Sequence, residues 1–336
     1  MSWFEKLTGF PEQGYAQTQA QFQVVGHRLQ SRVNGRSWQV GPLETPSLGK
    51  LRVRASAVRE ETQGVLRVRN IAADAYQLHA WPEAKGAVVQ VASQFNLLEM
   101  PGYDVTPEDG VSDYEHDHTQ GPACAIAIGP ATIYRNYFAP VEGQIGQTRD
   151  RQIDTLADLR AALPRGDEIE MRNGYALATP DVLQAIHTKL AELSEAERDT
   201  LRSLLRIGLQ HEVDVTAVGA LQGQHVTPAF CSALPVSYNQ GTHPDMWASF
   251  ASLVLEAAYE ATLLAAVVNS SERYGSHRVY LTLVGGGVFG NRREWILSAI
   301  RRALDIVRDR ELEVWLVSHN HVPDDLLMLA ESYANT

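Results

Sequence analysis

The run Gly86-Ala87-Val88-Val89-Gln90-Val91-Ala92 is short, rich in β-branched residues and apolar at nearly every position. A strand with that pattern has to be covered on both faces, so it belongs inside a sheet with helices on either side. From about residue 65 the rest of the chain follows the same rule. Strands are expected over 226–237, 278–284 and 312–317, and helices over 248–268 and 294–308. Thr179-Pro180-Asp181 reads as a helix start, with a capping side chain, a proline in the first turn and an acid at the positive end of the dipole, and Ser194-Glu195-Ala196-Glu197 reads as another through a capping box. The second of these helices is expected to run to about Leu209. This alternation predicts an α/β protein, a three-layer α/β/α sandwich on a mixed sheet.

The first 70 residues read differently and are taken as an N-terminal accessory region, with the main domain over 71–336. Asn34-Gly35 between the runs 24–33 and 36–40 reads as a hairpin turn, because both residues tolerate positive φ. Leu51-Arg52-Val53-Arg54-Ala55 alternates apolar and basic residues and reads as a further strand with one wet face.

Charge narrows the partners. Lys and Arg number 29 against 40 Asp and Glu, a net charge of −11, which argues against nucleic acid and anionic membranes. The apolar stretch 248–268 contains Glu256, Tyr259 and Glu260 and reads as a core helix rather than a membrane span. The start Met1-Ser2-Trp3-Phe4-Glu5-Lys6 lacks a secretory pattern. The two cysteines, Cys124 and Cys231, stand among small or apolar neighbours, so a reduced, cytoplasmic setting is expected.

Two segments carry the chemistry. Gly285-Gly286-Gly287-Val288-Phe289-Gly290-Asn291 joins a strand to the helix beginning near Glu294, a layout that aims backbone amides at an anion; the alternative is a tight turn without a ligand. No P-loop lysine accompanies it. The stretch 99–117 holds Glu99, Asp104, Glu108, Asp109, Asp113, Glu115 and Asp117, seven acids in nineteen residues with no Lys or Arg. Such crowding is expected to raise carboxyl pKa values, as general acid or base work requires, unless the stretch is only a solvated loop. It begins just past a buried strand, where ligands sit in open α/β sheets. His116 and His118 flank Asp117, but no third histidine stands at ligand spacing, so no metal site is assigned. Aromatics at 133–138 and 233–238 are candidates for core packing or for stacking on a ligand.

Taken together, these residues resemble a known family. Val91-Ala92-Ser93-Gln94-Phe95-Asn96 is similar to the macrodomain strand that ends in an asparagine beside the distal ribose, and the glycine segment resembles the macrodomain phosphate loop. With Gln94-Phe95-Asn96-Leu97 and Thr119-Gln120-Gly121-Pro122-Ala123, the likeness is to a divergent branch related to poly(ADP-ribose) glycohydrolases. That branch includes bacterial enzymes that remove ADP-ribose from arginine, among them arginine of ubiquitin. The resemblance covers residues 70–320. Two family signatures are missing, the glycine triplet followed closely by paired glutamates and the Asn-Ala-Ala-Asn of common macrodomains.

The resemblance implies an ADP-ribosyl hydrolase that needs no cofactor, with ADP-ribose or an ADP-ribosylated protein as partner. The amides of Gly285, Gly286, Gly287, Val288, Phe289 and Gly290 would hold the diphosphate, Phe289 would pack near the ribose, Phe95, Asn96 and Leu97 would border the nucleoside side, and Gln120, Gly121 and Asn291 would also contact ADP-ribose. Asp117 is the first candidate for the catalytic carboxylate, followed by Glu108, Asp113 and Glu294. The other readings are an ADP-ribose-binding module without activity and a metal-dependent phosphoesterase using His116, Asp117 and His118.

Overall fold

Burial on both faces of the Val88–Ala92 strand is realised in the computed structural model, which describes residues 1–239 and 241–334. The strand lies in the middle of a mixed sheet whose order is Leu43–Glu44, Gly208–Gln210, His225–Cys231, Val88–Ala92, Arg278–Leu281, Glu313–Ser318 and Arg67–Ala72. The last five of these are parallel to one another. The first two run antiparallel, and Val213–Asp214 adds an antiparallel pair to His225–Cys231.

Alternate residues of the strands feed two separate cores, as a period of two demands. Val88, Ala229, Val279, Leu281, Val314 and Leu316 pack against one layer of helices, including Leu48–Ala57, Pro180–Glu192, Pro244–Ser271 and Arg293–Ile306. Val89, Val91, Phe230, Tyr280 and Val317 pack on the other side against Gln120–Ala127 and Gly129–Tyr137. The three-layer α/β/α sandwich expected from the sequence is the observed architecture.

Pro244–Ser271 is long and apolar enough by composition to cross a membrane, yet it is the central core helix, with Trp247, Phe250, Val254 and Tyr259 all buried. Within it Glu260 is 2% exposed and accepts hydrogen bonds from Arg52 at 2.6 Å and Arg302 at 2.6 Å; both arginines also reach Asp199. Removing one member of such a network strands opposite charge in a poorly hydrated place. Glu260→Ala is expected to lower stability by about 3 kcal/mol in urea unfolding, and a loss below about 1 kcal/mol would contradict it.

Several local expectations are corrected. Residues 51–55 are not a strand. They lie inside the Leu48–Ala57 helix, which Ser47 caps by accepting the Lys50 amide, and the buried Leu48, Leu51 and Ala55 follow helical spacing. The basic residues between them mimicked strand alternation. The run 24–33 is two strands, Phe22–Val25 and Arg28–Ser31, which turn at Gly26 (φ +58) and continue past Asn34-Gly35 to Ser37–Gln39 as an antiparallel meander. The helix expected to reach Leu209 ends at Arg202, because the backbone of 205–207 pairs with Pro46, Leu48 and Thr155 instead.

The first forty residues build a third apolar cluster. Phe4, Leu7, Phe10, Phe22, Leu29 and Trp38 pack there with Leu98 and with Met100, Val111 and Tyr114 from the acidic stretch. Glu12 accepts the Val111 amide at 2.9 Å, the Ser112 amide at 2.6 Å and the Tyr137 hydroxyl at 2.7 Å. Residues 43–70, placed by the sequence in the accessory region, contribute the strand Leu43–Glu44, the Leu48–Ala57 helix and most of the strand Arg67–Ala72 to the main sandwich.

Candidate functional site

The strands Val88–Ala92 and Arg278–Leu281 pair only at Val88–Val279 and Val89–Tyr280, then diverge. The central strand is left with unpaired backbone groups, and a side chain takes the place of the missing neighbour. Gln120 donates to the Gln90 carbonyl at 3.1 Å and accepts the Ala92 amide at 3.1 Å. On the other side of the split, buried Gln90 accepts the Thr282 amide, and Tyr259 donates to the Thr282 carbonyl and accepts the Val284 amide. A cleft opens at this divergence, at the carboxyl ends of the strands.

The cleft holds about 130 Å³ of enclosed space beneath an open mouth. Ala92, Ser93 and Gln94 line it from the central strand and Ala233 from its neighbour. The remaining walls are Glu99 to Pro101, Asp117, residues 119–122, residues 283–285 and 287–289, and the rings of Tyr175 and Tyr238.

Among the glycine-segment residues assigned to an anion, Gly285, Gly287, Val288 and Phe289 line the cleft. The amides of these four have no hydrogen-bond partner among the described residues. The amides of Gly286, Gly290 and Asn291 are committed to the carbonyls of Leu283, Gly287 and Gly285, and these residues form the frame of the loop. Asn291 also ties the loop down by donating to the Leu234 carbonyl at 2.8 Å. Gly285 needs its hydrogen side chain: φ is +80, and a Cβ there would lie 2.4 Å from the Ala233 methyl.

Of the four carboxylates put forward, Asp117 alone lines the cleft. It is half-buried and accepts the Thr119 amide at 2.8 Å. Glu108 is exposed and holds the Arg149 amide, Asp113 is exposed, and Glu294 stands on the surface beside Arg292. The crowding expected of the acidic stretch is absent because its members go to different partners: Asp104 pairs with Arg172, Asp109 closes a turn on Thr106, and Glu115 accepts the Trp3 amide.

Glu99 is a further acid of that stretch at the cleft, one that the sequence did not single out. It lines the cleft, is 1% exposed and pairs with the fully buried Arg135 at 2.9 Å. Burial pushes its carboxyl up to about 7 against the opposing pull of Arg135. The physical cause is therefore desolvation, not neighbouring like charge.

Phe95, Asn96 and Leu97 do not reach the cleft. The chain reverses at Leu97 (φ +64), Asn96 spends its side chain on the Leu98 amide and on Gln152, and the Gly174 carbonyl takes the Phe95 amide, so all three sit behind the floor. Gln120 and Gly121 do line it, with the Gln120 amide already committed to the sheet. Gly121 permits close contact, since a Cβ there would come within 2.3 Å of the Ala92 carbonyl oxygen.

The rings also divide. Tyr238 borders the cleft with Phe289 at 5.5 Å and Tyr175 at 5.1 Å, and Tyr103 backs this group. Burial raises the phenols of Tyr175 and Tyr238, and the Asp117 carboxylate adds to it in both. Tyr175, on the short strand Tyr175–Leu177, has no signal in the sequence that would have marked it. Tyr134, Tyr137 and Phe138 belong instead to the N-terminal apolar cluster. His116 is exposed, and among the described residues no group of three or more His, Cys, Asp and Glu is gathered to hold a metal ion. Cys124 and Cys231 are free and buried, and burial pushes both thiols upward, Cys231 to about 11.

No protein-family model matches this sequence, and no curated protein matches it. Among solved structures, the chain is similar to poly(ADP-ribose) glycohydrolase from Deinococcus radiodurans in complex with ADP-ribose, at a TM-score of 0.46 and 10% identity over 87% of this chain and 94% of that one. It is also similar to poly(ADP-ribose) glycohydrolase from Thermomonospora curvata bound to the inhibitor ADP-HPD, at a TM-score of 0.39 and 13% identity over 94% and 93% of the two chains.

Proposed function

We propose that the chain is an ADP-ribosyl hydrolase of macrodomain type, cutting the glycosidic bond between ADP-ribose and a protein side chain, with arginine as the side chain. The observation that supports this most is the coincidence of four unpartnered loop amides with a carboxylate in one cleft. A diphosphate seats on amides at 285 and 287–289 without needing a lysine, which fits a chain of net charge −11. The ribose then lies between Phe289, Tyr238 and Asp117, with its anomeric carbon toward the carboxylates.

Water attacks that carbon as the carbon–nitrogen bond breaks; Asp117 takes the proton from water, and the departing nitrogen gains one. A carboxylate suits both tasks, since it moves a proton and stabilises the positive charge that develops on the sugar. An arginine-linked substrate brings a cation, which the Asp117 carboxylate at the cleft lining attracts. Ubiquitin is the carrier to try first, because the sequence resemblance extends to enzymes acting on its modified arginine. Two buried free thiols fit a cytoplasmic setting.

Calorimetry with ADP-ribose is the direct test. Micromolar affinity, about −8 kcal/mol, is expected, and a Kd no tighter than millimolar would end this reading. Binding without release of ADP-ribose from any modified protein would instead identify a non-catalytic binding module.

A further inference from the structure

The cleft contains a second carboxylate in surroundings unlike those of Asp117. Glu99 sits at the cleft floor, and a Cβ on Gly121 would lie 3.2 Å from its Cγ, so the start of the Gln120–Ala127 helix presses directly on it. Its backbone amide donates to the Tyr114 hydroxyl at 3.0 Å. Both of its carboxylate oxygens lie on one nitrogen of Arg135, at 2.9 and 3.0 Å, so each retains a lone pair. Arg135 also donates to the Leu97 carbonyl at 2.8 Å. It thereby ties down the C-terminal side of the turn in which Leu97, a fully buried leucine, is held at φ +64. Backbone strain of that kind persists only where the surroundings over-determine it, and it concentrates at functional sites.

We propose that Glu99 is a second catalytic carboxylate of this cleft, the group that delivers the proton to the departing guanidine nitrogen while Asp117 receives the proton of the attacking water. The role rests on the hydrolase reading given above. The step balances. Water's oxygen bonds to the anomeric carbon, the electron pair of the carbon–nitrogen bond goes to nitrogen, and the Glu99 proton joins that nitrogen. The water proton passes to Asp117, and exchange with solvent restores both carboxyls.

Arg135 makes this cycle workable in a buried place. Its guanidinium lies 3.8 Å from the centre of the Phe230 ring and also meets the Leu97 carbonyl and the Thr132 hydroxyl, so it keeps electron-rich neighbours when Glu99 is neutral. The other titratable groups facing Glu99 are Tyr114 and Cys124, and burial raises both, which keeps them neutral while Glu99 titrates. Desolvation raises Glu99 itself to about 7. A proton donor with a raised value is active below it and fails as pH rises through it.

The test compares wild type with Glu99→Gln and with the double variant Glu99→Gln/Arg135→Met, which removes the buried pair together and so avoids a stranded guanidinium. The readouts are ADP-ribose affinity and kcat on arginine-ADP-ribosylated protein from pH 5 to 9. In both variants Kd is expected to stay within threefold of wild type, kcat to fall about 100-fold, and the alkaline limb of the wild-type profile to disappear. A folded, ligand-binding variant with kcat within threefold of wild type, or with the alkaline limb intact, overturns the role of Glu99 alone. Wild-type protein that binds ADP-ribose and releases none overturns the hydrolase reading and this role with it.

Discussion

Asp117→Asn is expected to lower kcat for release of ADP-ribose from modified arginine about 1,000-fold, with ADP-ribose affinity held within threefold. Asparagine keeps the oxygen that accepts the Thr119 amide at 2.8 Å, so the entry to the Gln120–Ala127 helix is preserved. It loses the charge and the basicity, the two properties asked of this residue. Transition-state stabilisation is then lost while ground-state binding, carried by the loop amides, is not, and that asymmetry appears as a fall in kcat at constant Kd. Circular dichroism and calorimetry on the same preparation separate this outcome from misfolding. Undiminished turnover by a folded variant would remove Asp117 from the reaction and leave the cleft as a binding site.

The second large effect divides two glycines of the loop by their jobs. Gly285→Ala places a methyl 2.4 Å from the Ala233 methyl and 2.8 Å from the Asn291 amide nitrogen, on a backbone with φ +80. Positive φ and overpacking together are expected to cost about 2–3 kcal/mol, and ADP-ribose binding should be lost as the loop shifts. Gly287→Ala meets no atom within 4 Å and has no positive φ, so its stability is expected to change by less than about 0.5 kcal/mol. Its methyl nevertheless stands at the lining of the cleft, beside amides left for an anion. A loss of affinity of at least tenfold, about 1.4 kcal/mol, is expected with an unchanged Tm. If Gly287→Ala bound ADP-ribose as wild type does, the diphosphate would not lie on this loop.

How much of this was legible depended on whether local chemistry or distant contact decides a residue's place. The Val88–Ala92 strand, the helix starts at Thr179 and Ser194 and the glycine turn are set by neighbours in the chain, and each lies where the sequence puts it. Residues 51–55 defeated the pattern because a helix and a strand can both present apolar residues at 51 and 55, and Ser47 together with a distant packing surface chose the helix. The cleft residues divide the same way. Gly285, Gly287 and Phe289 follow from the motif, whereas Glu99 and Tyr175 enter the cleft only through long-range packing on Arg135 and Met100. Asn96 was misplaced for a related reason. A polar residue at a strand end looks available until the reversal at Leu97 turns it toward Gln152. Acid crowding in sequence likewise became acid dispersal in space, because an extended loop spreads its side chains over different partners.

The contacts of Glu12 and Trp3 bear on more than the packing of the N-terminal meander. Glu12 grips the backbone at Val111 and Ser112, and the Trp3 indole donates to the Ser112 carbonyl at 3.0 Å, only a few residues before Asp117. The wall that carries Asp117 is therefore bolted to the first forty residues on one side and, through Gln120, to the sheet on the other. Asp117 is thus moored from both directions along the chain, by the N-terminal segment before it and by the sheet after it.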